Sequence, residues 1–160
     1  MTTNLNKVSP LISLKKTENF SISRHFKKEK GFGNFYLIDD SIKDFTETIE
    51  VSPPLELAGY ELTIKNVSEK SVCNDAINQK IYTEVDMAHV WQIFHRDIYG
   101  KDLMSEEGVS GFLVRNKNGV LCTVNIFLIE NEGWYLSIVA GCENQSSSDR
   151  YFFLHMPAAD

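Results

Sequence analysis

At 160 residues the chain has the length of one domain, and a domain of this size buries roughly two-thirds of the surface its unfolded chain exposes. Apolar residues make up 42% and charged residues 24%, which excludes a disordered or collagen-like class, and no run reaches the ~18 consecutive apolar residues of a membrane helix. The net charge of −6 is unevenly divided: residues 1–38 carry seven Lys/Arg against two acids, or +5, and residues 39–160 carry nine against twenty, or −11.

Residues 1–14 lack the basic region and apolar core of a signal peptide, so the chain is read as cytoplasmic and without a membrane partner. Residues 1–18 are expected to form a partly flexible arm ahead of a single α+β domain at 19–160. A basic arm beside an acidic body is expected to dock on that body rather than to reach for a polyanion.

The string Arg24-His25-Phe26-Lys27-Lys28-Glu29-Lys30-Gly31-Phe32-Gly33 alternates cations with rings, as single-strand grooves do when they combine phosphate attraction with base stacking. Arg24, Lys27, Lys28, Lys30 and Phe32 are its candidate binding residues. Lys30-Gly31-Phe32-Gly33 partly resembles the glycine-aromatic strand of RNA-recognition motifs, but the resemblance stops at Asn34 and the family is not adopted. A solvated basic loop with Phe32 and Phe35 anchored in the core outweighs nucleic acid as the reading. A phosphate-binding fingerprint is also excluded, because the third glycine is missing and a strand follows.

Phe35 to Ile38 reads as a strand, Asp39-Asp40-Ser41 as a turn and Thr46 to Val51 as a second strand, although Ile42, Phe45 and Ile49 also fit a short helix. Ser52-Pro53-Pro54 breaks any regular element. Tyr60, Leu62 and Ile64 alternate as in a half-buried strand, and residues 69–79 fit a short polar helix.

The clearest element is a helix predicted over residues 84–99, with Thr83 as N-cap, Asp86 as its acidic partner and Gly100 just past the end. Tyr82 and Met87 stand where a hydrophobic staple would, and Met87, Val90, Trp91, Phe94 and Ile98 recur at helical spacing toward a core. His89 and His95, six positions apart, cannot share a metal as an i, i+4 pair would, and are expected to be exposed.

Beyond a polar connection come apolar segments near 112–115, 120–129, 134–140 and 151–155, predicting an antiparallel meander packed against the helix. Asn118-Gly119 signals a hairpin, and Asn131-Glu132-Gly133 suits a three-residue loop. That loop pairs Glu130 with Trp134, Leu128 with Leu136, Ile126 with Ile138 and Val124 with Ala140, so the apolar faces agree. It also sets Cys122 opposite Cys142, with reduced thiols the expectation in a cytosol. As an edge strand, 151–155 would offer a second copy a route to a homodimer.

Three widely spaced cysteines fit neither a disulfide framework nor a zinc site, and no nucleophile elbow or Cys-His signature is present, so no cofactor, metal or catalytic residue is expected. Thr123, Asn125, Tyr135 and Ser137 interrupt Phe127, Ile129 and Val139 on the meander's other face, an apolar surface dotted with hydrogen-bonding groups. Ligand pockets have that composition. By architecture alone the expected domain is similar to cystatin-like or nuclear-transport-factor-like folds. The leading functional expectation is a non-enzymatic interaction module whose acidic body meets a basic protein, as a small immunity protein or a chaperone would. The alternative is a small-molecule binder or small enzyme using the mixed sheet face.

Overall fold

The computed structural model describes residues 5–8, 11–28, 35–63, 67–100, 108–129, 132–141 and 148–154, with the backbone alone for 96–100. The chain is a mixed α+β domain. Its large sheet runs β1 (Leu5–Lys7), β6 (Leu55–Leu62), β10 (Arg150–Leu154), β7 (Ser110–Arg115), β8 (Leu121–Ile129), β9 (Gly133–Ala140), β4 (Phe35–Ile38), and β2 (Ile12–Leu14) also pairs with β6. A separate ribbon pairs β3 (Thr17–Ser21) with β5 (Thr48–Ser52). The remaining elements are a single turn α1 (Ile22–His25), a 3-10 turn at Asp40–Asp44, and the helices α2 (Glu69–Asn78) and α3 (Met87–Gly100). No described helix is long and apolar enough to cross a membrane. Residues 5–7 and 12–14, expected in the N-terminal arm, are strands whose Leu5, Ile12 and Leu14 are buried.

Strand alternation gives the sheet two covered faces. Phe112, Val114, Cys122, Val124, Ile126, Leu136 and Phe152 form one core with Val90, Ile93 and Phe94 of α3. Leu113, Tyr151, Phe153, Ala58 and Tyr60 form the other with Val72, Cys73 and Ala76 of α2. Ile93 and Ala88 extend the buried stripe of α3 because its far side is covered as well: Trp91 meets Phe26 at 5.6 Å and His25 at 5.5 Å.

Three expectations are corrected. First, β7, β8 and β9 form the meander, but β10 does not continue it. It inserts between β6 and β7, antiparallel to the first and parallel to the second, and β4 joins β9 in parallel. With neighbours on both sides, β10 offers no free edge to a second copy. Second, the β8–β9 register is displaced by two residues: Val124 faces Ile138, Ile126 faces Leu136 and Ile129 faces Gly133. Gly133, at φ +131°, already belongs to the strand, and the turn is closed earlier by Glu132 N–H to Ile129 O at 3.0 Å. A shift of two preserves which side chains share a face, so burial cannot distinguish the two registers. Cys122 therefore stands opposite Ala140; Cys142 lies outside the described residues.

Third, α3 begins at Met87, capped by Asp86 rather than Thr83. Asp86 Oδ1 accepts the His89 N–H at 3.0 Å and His89 Nδ1 accepts the Asp86 N–H at 3.0 Å, a reciprocal box with histidine in the usual Glu/Gln position. Val85 N–H donates to Leu113 O at 3.0 Å, which ties the preceding residue to the sheet and holds it off the helix.

Candidate functional site

The mixed sheet face is divided by α2. Its buried part carries Thr123 and Asn125, 1% and 2% exposed, directly beside Leu113 and Gly111 on β7. Ser68 caps α2 by accepting from Ser71 N–H at 3.1 Å, which sets Glu69 in the first turn and over the sheet. The Glu69 carboxylate, 2% exposed, accepts from the Tyr151 hydroxyl at 2.5 Å and also from Thr123. Burial pushes this carboxyl above its ordinary range, and the two hydroxyls pull against that shift.

Beside this network, Gly111 leaves a slot between Tyr151 and Asn125. Ser148 fills it and donates its hydroxyl to Asn125 Oδ1. The arrangement is internally satisfied and closed to solvent, so it orients α2 and the start of β10 upon the sheet.

Tyr135 and Ser137 lie on the other part of the same face, which α2 does not cover. Ser137 faces Asn125 across the ladder, and Tyr135 faces Phe127 with rings 4.9 Å apart. Leu37 of β4, 40% exposed, stands beside Tyr135. Together with half-buried Ile129 and Val139 they make an apolar strip across β8, β9 and β4. Of the four residues singled out in sequence, two are therefore bound into an interior network and two are half-buried outside it. Glu69, Ser148 and Tyr151 were not legible as members, because each meets the network from an element distant in sequence.

The basic string occupies a second place. Arg24 is exposed on α1, and Lys27 and Lys28 follow it; Lys30 and Phe32 lie outside the described residues. Lys27 and Lys28 line a groove of about 460 Å³ together with Ile22, Ser23, Phe26, Ile42, Lys43 and Glu47. Ile22 and Phe26 are buried at its floor, and their packing is fixed by the same core that holds α3. The Glu47 carboxylate accepts from the Ser23 and Ser21 hydroxyls, the latter at 2.9 Å, and from the Ser23 N–H at 3.1 Å. The Ser23 hydroxyl is the largest cause holding this carboxyl below its ordinary range.

The histidines separate. His89, expected at the surface, is 2% exposed because its ring spans from the α3 cap to the break after β5, with Nε2 2.7 Å from Pro53 O and 3.1 Å from Ser52 Oγ. Since Nδ1 accepts from Asp86, Nε2 carries the proton and donates. His95 is exposed and stacks on Trp91 at 5.6 Å. Among the described residues no group of His, Cys, Asp and Glu has the spacing to hold a metal ion. Comparison of the chain with protein-family models, with curated proteins and with solved structures gives no match.

Proposed function

We propose that this chain is a non-enzymatic protein-interaction module of the cytoplasm that binds a basic protein partner. The observation that carries the reading is the part of the mixed face outside α2, where exposed Leu37 and half-buried Phe127, Tyr135 and Val139 form an aromatic and aliphatic strip. Interfaces place such anchors at their centre and leave charge to the rim. Phe127, Tyr135 and Val139 of the strip belong to residues 39–160, which carry a net charge of −11, and complementarity with a basic surface would speed association and make it salt-sensitive. The alternative, a ligand pocket built by Thr123, Asn125, Tyr135 and Ser137, has less support, since the first two spend their polar groups inside the fold. A helix laid across the β7–β8–β9 meander is what the chain would share with cystatin-like folds, and that comparison carries no functional weight.

The test is affinity capture from native lysate with the unmodified chain and a Leu37→Ser/Tyr135→Ser variant side by side. A basic protein retained by the first, lost by the second and released as salt rises is the expected result. Retention that is unchanged in the variant or indifferent to salt would refute the reading.

A further inference from the structure

Independently of that partner, we propose that the groove between α1 and the 3-10 turn is a binding site for an amphipathic organic anion, with the apolar body on Ile22, Phe26 and Ile42 and the head group among Lys27, Lys28 and Lys43. The volume of about 460 Å³ lies within the range of small-molecule sites, which combine an apolar lining with a few convergent polar groups. The apolar lining comes from two separate elements, Ile22 and Phe26 from α1 and its cap and Ile42 from the 3-10 turn, all packed on the core, so its shape is not set by one loop.

The charge arrangement identifies the ligand's sign. Three ammonium groups line the groove against one carboxylate, in a chain whose net charge is −6. The carboxylate is not their partner. Glu47 is taken by two serine hydroxyls and a backbone N–H on its own wall. Among the described residues Lys27, Lys28 and Lys43 have no acidic group within 4.0 Å. A fourth cation adds to the field, since Lys117 Nζ donates to Lys43 O at 3.3 Å. Like charges lining one groove repel, and an anion entering among them relieves that repulsion while its apolar body leaves water. A carboxylate and a phosphate monoester satisfy the same three donors, so the head group is an anionic oxygen cluster of either kind.

The experiment titrates the full chain with decanoate, decyl phosphate and uncharged decan-1-ol, by calorimetry and by amide chemical-shift mapping. The expected result is saturable binding of at least one anion, at least tenfold tighter than the alcohol, with shifts concentrated in residues 22–28 and 42–47. A Lys27→Ala/Lys43→Ala variant, altered only at exposed positions, should keep the fold and lose at least tenfold in anion affinity. Tighter binding of one anion assigns the head group. Equal affinity for the alcohol, shifts centred elsewhere, an unaffected variant, or no binding by either anion would overturn the proposal.

Discussion

Replacing Gly111 by alanine tests the packing of the mixed face most directly. A Cβ at this position would stand 2.8 Å from Ser148 Cβ and 2.9 Å from Tyr151 Cε1, and would meet Ser148 Oγ more closely still. Real Cβ atoms do not approach that near, and neither neighbour is a free chain end: Tyr151 is fully buried and bonded to Glu69, and Ser148 is 3% exposed and bonded to Asn125. Overpacking of this kind costs about 1–3 kcal/mol. Displacing Ser148 also strips Asn125 Oδ1 of its donor in a buried place, which adds about 1–3 kcal/mol. Alanine recovers only about 0.5–1 kcal/mol from its stiffer backbone. The expected loss is therefore about 1–5 kcal/mol, read as a lower urea midpoint at unchanged slope. Ser148→Gly in the Gly111→Ala background removes the contacts with Ser148 but leaves Tyr151 Cε1 at 2.9 Å and the Asn125 oxygen unpaired, so it should recover only part of the steric loss. A Gly111→Ala variant within about 0.5 kcal/mol of the parent, the range of uninvolved surface changes, or a double variant no better than Gly111→Ala, would refute this account.

Glu69→Gln should change the pH dependence of stability. The folded-state carboxyl titrates above its ordinary value of 4.5, chiefly through burial, so between the two values the folded chain binds more protons than the unfolded one. Stability is then lost as pH rises through that window. Glutamine keeps an acceptor for Tyr151 and removes the loss, so urea unfolding across a pH series should show the variant gaining on the parent from 4.5 upward; parallel curves would refute it. Asp86→Ala removes the acceptor for the His89 N–H and should cost about 0.5–2 kcal/mol, with Asp86→Asn close to neutral in the same assay. An alanine as stable as the parent would place the start of α3 elsewhere.

What the sequence made legible was local. The periodicity of Met87, Val90, Trp91 and Phe94, the Asn118-Gly119 hairpin and the alternation along 121–129 each depend on neighbours a few residues apart, and each element is present. Gly119 takes φ +80° in that hairpin, where Asn116 Oδ1 accepts from Asn118 and Val120 N–H at 2.9 and 3.0 Å. The place of β10 was not legible, because its pairing with β6 and β7 joins residues far apart in sequence and a buried central strand has the same composition as a buried edge. The two-residue register difference was likewise silent, since parity alone was available. His89 was misjudged for a related reason: its helical position is ordinary, and only the approach of Ser52 and Pro53 from another element makes it an interior bracket.

The two proposed surfaces differ in chemistry, one apolar and one lined by lysines, and the sheet explains how one small domain holds both. The apolar strip lies on the face shared with α2, whereas Ile22 and Phe26 of the groove pack in the core on the α3 face. Glu47 contributes a second separation. By accepting from Ser21 and Ser23 it remains ionised without neutralising the lysines beside it, and it ties β3 and α1 to the chain entering β5. The same three donors that fix this corner of the fold leave the ammonium groups available to a ligand.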